Sequence, residues 1–161
     1  CPCGYATDPT NECACSAQMI QRYMSRISGP LLDRIDIHIE VPAVSFQELA
    51  DKEEGEPSMD IQGRVQKARE VQLSRFKKSE NLFANAQMES QDLKTHCELD
   101  NESSELLRTA MDKLGLSARA YDRILKVSRT IADLDRKIKI DSGHISEAIQ
   151  YRSLDRQLWL G

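Results

Sequence analysis

Four stretches between Ile61 and Arg152 repeat apolar residues at helical spacing, and this repetition constrains the fold more than any other feature of the chain. Ile61 to Phe76 brings Ile61, Val65, Ala68, Val71, Gln72 and Phe76 near one face, with Arg64, Lys67, Arg69 and Arg75 mostly on the others. Glu102 to Leu114 repeats the pattern through Leu106, Leu107, Ala110 and Leu114, and Gly115 is a stop signal. Ser117 can cap a third helix running to about Leu134, with Tyr121, Ile124, Leu125, Ser128, Ile131 and Ala132 inward. Asp141 or Ser142 starts a fourth, through Ile145, Ala148, Ile149 and Tyr151. Lys77 to Asn101 reads as mostly irregular, with room for a short helix around Ser90 to Thr95. Four amphipathic helices in so short a stretch make a small bundle.

The N-terminal third does not fit that pattern. Residues 1–15 form a turn-rich loop in which Cys1, Cys3, Cys13 and Cys15 enclose Gly4, Asp8, Pro9 and Asn11. A short helix is expected from Ser16 to Ile27, with Met19, Ile20, Tyr23, Met24 and Ile27 on one side, broken by Ser28-Gly29-Pro30. Ile35 to Val41 then alternates apolar and polar residues up to Pro42, the pattern of a strand with one buried face. One strand cannot make a sheet, and no other segment offers a partner. Together with a first residue that is cysteine rather than methionine, this suggests a piece cut from something longer.

Charge divides the chain in a similar way. Ile61 to Arg152 holds 17 Lys or Arg against 14 Asp or Glu, an excess of three, so the net charge of -4 leaves -7 to the remainder. Much of that acid is Glu48, Asp51, Glu53, Glu54, Glu56 and Asp60, which with Gly55 and Pro57 reads as an exposed linker. Composition fits a hinge there and a solvated surface loop equally well. With 161 residues, 40% hydrophobic and 30% charged, the chain suffices for one globular core plus an attached fragment. No stretch approaches the ~20 apolar residues of a membrane span, so a cytoplasmic setting is expected.

Several chemistries have no residues to support them. None of the seven glycines lies in a Gly-x-x-x-x-Gly-Lys-Ser/Thr loop, and no apolar strand ends in an Asp-Glu pair that would hold magnesium. His38, His96 and His144 are scattered and read as ordinary strand, loop or cap residues. The chain alone is expected not to hydrolyse anything. Cys97, in an apolar-poor stretch, reads as a free thiol.

Two arginine-centred segments carry more. Ile27 to Asp36, with Leu31-Leu32-Asp33-Arg34 at its centre, resembles the turn before the last core strand in AAA+ ATPases of the magnesium-chelatase and replicative-helicase branch. Leu116 to Leu134, containing Leu116-Ser117-Ala118-Arg119-Ala120-Tyr121-Asp122-Arg123, resembles the lid-domain helix that bears the second nucleotide sensor in that branch. With Cys1-Pro2-Cys3-Gly4 in front, the order resembles the magnesium-chelatase-like subgroup of competence proteins, from Cys1 to about Arg152.

The resemblance implies a mainly α fold: a small helical bundle, the AAA+ lid, with an N-terminal remnant of the α/β AAA+ core that includes one strand. The implied division is 1–42 for the cysteine loop and core end, 43–60 for the linker, 61–152 for the lid and 153–161 for a tail. It implies a ring of identical subunits, a hexamer, with ATP between neighbours, DNA as partner and no membrane. Arg34 becomes the arginine finger that acts in trans on a neighbour's phosphate, with Arg26 in reserve; the competing reading pairs Arg34 with Asp33 or Asp36 on the surface. Arg119 becomes the lid sensor for ATP phosphate, in a first helical turn whose free N–H groups already favour an anion; the competing reading is a solvated face shared with Arg123, Lys126 and Arg129. ATP and magnesium belong to the complete protein, and none is expected on this piece.

Cys1, Cys3, Cys13 and Cys15 fit a tetrahedral zinc site, free reduced thiols or disulfides, and their tight Cys-x-Cys bite does not choose among these. Three functions follow in order. The first is the finger-and-lid part of a DNA-remodelling ATPase, a helicase or branch-migration motor in DNA uptake and recombination. The second is the motor subunit of a true magnesium chelatase, against which the cysteine loop argues. The third is a non-enzymatic zinc-and-helix interaction module, which leaves the Leu-Leu-Asp-Arg turn without purpose.

Overall fold

The computed structural model describes residues 1–6, 8, 11–39, 41, 44, 50 and 55–152. Seven helices are formed among them: α1 (Ala17–Met24), α2 (Gly29–Leu32), α3 (Ser58–Arg75), α4 (Ser90–His96), α5 (Asn101–Leu114), α6 (Ala118–Leu134) and α7 (Ser142–Gln150). A single 3-10 turn, Asn85–Gln87, lies between α3 and α4. The architecture is mainly helical, as expected. The 153–161 tail and most of the acidic segment lie outside the described residues.

Local chemistry sets the boundaries of the three C-terminal helices. Asp100 accepts from the Ser103 N–H at the start of α5, and Gly115 closes it in the left-handed conformation (φ 62°), where a Cβ is strained. Ser117 accepts from the Ala120 N–H to open α6. Asp141 opens α7 by accepting from Gly143 and His144, and its own N–H donates to His144 Nδ1, so this histidine is a cap residue.

α6 is the central element, packing against α7, α3, α4 and the 3-10 turn. Its Ile124, Leu125, Ile131 and Ala132 join Leu107, Ile145, Ala148, Phe76 and Met88 in one core. The 77–101 stretch is more ordered than its composition suggests: Met88, Leu93 and Cys97 are all buried in that core. Cys97 is therefore a core thiol, and burial pushes its pKa up to about 11. His96 stacks edge-on against Phe76, with ring centroids 5.4 Å apart.

Two expected faces are revised. On α3 only Ala68 and Gln72 are buried, followed by Phe76 just beyond its end, while Ile61, Val65 and Val71 are exposed; on α6, Tyr121 is exposed. Arg129, expected on the solvated stripe, is instead buried beside a fully buried Asp133. Asp133 accepts from Arg75 Nη1 at 2.7 Å, Asn85 Nδ2 at 2.8 Å and Arg129 Nε at 3.2 Å. The remaining Arg129 donors reach the carbonyls of Ile138 (2.8 Å) and Lys137 (2.7 Å). A guanidinium fork that finds a carboxylate and two carbonyls can leave water, which a lone cation cannot.

The expected strand is not formed among the described residues. Ile35 to Ile39 lies along the lid, where the His38 N–H donates to the Tyr151 carbonyl at 2.8 Å. With no neighbouring strand to share a ladder, the alternating pattern finds single partners instead. α1 ends before Ser28-Gly29-Pro30, and Pro30 lies in the first turn of α2, where a proline lacks only an N–H that the turn does not use. α1 ends at Met24 rather than Ile27 and buries no residue; Met19, Tyr23 and Ile27 are exposed.

Replacing Asp133 by Ala leaves Arg75 and Arg129 with no carboxylate in the core. The expected loss is about 3–5 kcal/mol of unfolding free energy, measured by urea titration of the chain. A loss below ~1 kcal/mol contradicts the role given to this network.

Candidate functional site

The turn after α2 meets the start of α6. Leu32 is buried while Leu31 is exposed, so one leucine rather than two anchors the turn. Asp33 closes α2 and points to the lid: Ser117 Oγ donates to its Oδ1 at 2.8 Å and Arg119 Nη1 to its Oδ2 at 2.9 Å. Arg152, buried, lies 3.9 Å from Asp33 and donates to the Ile35 carbonyl. Asp36 forms an ion pair with Arg123. Two acids three residues apart therefore match two arginines four residues apart on α6.

Arg34 lies in this turn. Both acids flanking it are engaged with the lid, and Arg34 itself is exposed, with no ion pair or side-chain hydrogen bond among the described residues. The surface pairing with Asp33 or Asp36 does not occur. Arg26 lies over the Tyr23 ring, 5.5 Å from its centroid.

Arg119 sits in the first turn of α6 with its side chain about half exposed, and its partner is Asp33 rather than solvent. Burial pushes the Asp33 carboxyl up, but the Ser117 and Arg119 hydrogen bonds and the charges of Arg119 and Arg152 together hold it below the ordinary value. Sequence reasoning missed Asp33, Asp36, Ser117 and Arg152 as contact residues. The one signal available was the complementary spacing of the two charge pairs.

A second cluster lies in the N-terminal loop. Cys1, Cys3, Cys13 and Cys15 bring all four sulfurs within 4.8 Å of one another, and none is in a disulfide. Pro2 and Gly4 form the turn that joins the first pair, with the Gly4 N–H donating to the Cys1 carbonyl at 3.1 Å and Gly4 at φ 90°. A backbone hydrogen bond at Tyr5 is the main cause that lowers the Cys3 thiol to about 7.

The described chain is thus a helical bundle whose α6 carries Arg119 in its first turn, beside a turn that exposes Arg34. Residues 55–152 match the family described as magnesium chelatase, subunit ChlI C-terminal, and residues 1–49 match magnesium chelatase, subunit ChlI; the chain belongs to this magnesium-chelatase family. It is 43% identical over 160 residues to the competence protein ComM of Haemophilus influenzae, covering 98% of this chain and 30% of that protein. Against a protein named YifB of Escherichia coli it is 40% identical over 149 residues, covering 92% and 28%. Against the Mycobacterium tuberculosis protein Rv2897c it is 31% identical over 152 residues, covering 94% and 29%. The chain thus spans about 30% of the length of these relatives. No helix among the described residues is long and apolar enough to cross a membrane.

Removing the carboxylate at Asp33 should release the turn from the lid. Asp33→Ala is expected to cost about 1 kcal/mol, because its Arg119 partner is half exposed, and to speed exchange of the His38 amide without loosening the α6 core. Because the folded carboxyl titrates below its unfolded value, the docking is complete above the ordinary carboxylate range and weakens as pH falls through the lowered value. Amide exchange by NMR at neutral and acid pH measures both effects; His38 protection that ignores both the substitution and pH contradicts the contact.

Proposed function

We propose that the chain is the finger-and-lid part of a ring-forming AAA+ ATPase, in which Arg34 acts on ATP held by a neighbouring subunit and Arg119 reads ATP held by its own. The observation that supports this most is the exposed Arg34, with no ion pair among the described residues, between two acids that are both turned to the lid. A guanidinium left free at a subunit edge can stabilise charge on a transferring phosphate, an effect worth ~10³ to 10⁵ in rate. Membership of the magnesium-chelatase family supports ATP and magnesium as ligands of the complete protein.

Arg119 reaches phosphate by exchange. In this conformation its charge is matched by Asp33, so a nucleotide phosphate at the α6 N-terminus competes with that carboxylate. The competition links occupancy of the subunit's own site to the turn that carries Arg34, one residue beyond Asp33. Most of the expected 43–60 linker lies outside the described residues, and its last three residues, Ser58 to Asp60, open α3.

The work driven by hydrolysis is DNA remodelling, as helicase or branch-migration activity in a hexameric ring. The similarity to a protein named as a competence protein supports DNA as the client. The family description keeps magnesium insertion into a porphyrin as the second reading. Measuring whether ATPase activity of the complete protein responds to branched DNA or to porphyrin decides between them.

Arg34→Ala in the complete protein is expected to lower ATP turnover by ~10³ or more with unfolding midpoint unchanged, since the side chain is exposed. Arg119→Ala should also lower turnover, with a loss of nucleotide affinity in addition and, because it breaks the pair with Asp33, up to about 1 kcal/mol of stability. Near-normal turnover in both variants removes the assignment.

A further inference from the structure

The four N-terminal sulfurs are closer together than a polar loop has reason to hold them. Cys1 Sγ to Cys3 Sγ is 3.3 Å, Cys3 to Cys13 is 3.6 Å and Cys13 to Cys1 is 3.7 Å. Zinc bound to four thiolates at ~2.3 Å places its ligands on tetrahedral edges of ~3.8 Å, so three of the edges are already near that length. Closing the shell around Cys15, which is within 4.8 Å of the other three, takes a shift of about 1 Å. The tight Cys-x-Cys bite is thus no obstacle, because Cys1 and Cys3 already span an edge across the turn that Pro2 and Gly4 make.

We propose that Cys1, Cys3, Cys13 and Cys15 bind one zinc ion in a closed, structural tetrathiolate site. A soft tetrahedral set of four sulfurs suits zinc, which binds cysteine as thiolate. Sulfurs packed within 4.8 Å enclose a single ion rather than an iron–sulfur cluster. The Ala6 N–H donates to Cys1 Sγ at 3.2 Å, the kind of outer contact that orients a ligand thiolate. With all four positions filled by protein, no site is left for water or substrate, so the ion orders the loop and takes no part in hydrolysis.

The ion would also fix the start of α1. Cys15 immediately precedes Ser16, whose side chain accepts from the Met19 N–H to cap that helix, and α1 has no buried residue of its own to hold it. A loop without apolar core and a helix without buried face gain their order from the clip. The lid bundle has a separate core and does not depend on it.

Metal analysis of the complete protein, purified without an affinity tag in the presence of reductant, tests this directly. One zinc per chain, released by four equivalents of a mercurial, is the expected result, and cobalt substitution should give the absorption of a tetrahedral tetrathiolate. Cys13→Ser should lose the zinc and raise amide exchange across residues 1–24 while leaving that of 101–150 unchanged; Cys97→Ala should keep the zinc. Absence of metal with four freely reactive thiols, two disulfides, or iron in place of zinc each overturns the proposal. These readouts are independent of ATP turnover, so they stand or fall apart from the roles of Arg34 and Arg119.

Discussion

The carboxylate of Asp133 holds the bundle together at a point where hydrophobic packing alone could not. It draws Arg75 from the end of α3, Asn85 from the 3-10 turn and Arg129 from its own helix into one buried network. Arg129 then ties the 137–138 turn before α7 to the same point. Three segments are fixed relative to α6 by this one network. Each bond there is charge-assisted and shielded from water, so removing the carboxylate leaves two cations uncompensated, a far larger loss than any exposed pair on this surface can produce.

With α6 fixed in this way, its outer face becomes a rigid mount. One side carries Ile124, Leu125, Ile131 and Ala132 into the core; another presents Arg119 and Arg123 to the Asp33–Asp36 turn. The turn is therefore held by ion pairs of modest strength, while the helix that receives it is held by burial. That contrast suits a contact meant to exchange partners. Asp33 can give up Arg119 without cost to the lid's fold, and in the proposed reading a phosphate is what takes its place.

The helices were legible in the sequence because their ends are set by local chemistry: Asp100, Ser117 and Asp141 cap within three residues, and Gly115 supplies the left-handed stop. What was not legible depended on partners far along the chain. Arg129 looked solvated because charge normally is, and only the Asp133 and carbonyl partners make its burial tolerable. The alternation of Ile35 to Val41 promised a strand, but a strand needs a neighbour, and Tyr151 offers a single carbonyl instead. Arg34 and Arg119 were found through resemblance, whereas the Asp33 that engages Arg119 lies 86 residues from it and left only a matching of charge spacing. The cysteine spacing fitted three chemistries, and the sulfur distances are what favour one.

In the proposed function Arg34 acts across a subunit boundary, and mixed rings test that directly. Subunits carrying Arg34→Ala keep their own nucleotide site, while subunits of the complete protein disabled for nucleotide binding keep Arg34; each alone should be inactive. Mixing them places an intact Arg34 beside an intact nucleotide at some interfaces, so ATP hydrolysis should reappear and vary with the ratio of the two. Mixed assemblies that form and yet hydrolyse no ATP at any ratio would contradict a role for Arg34 in trans.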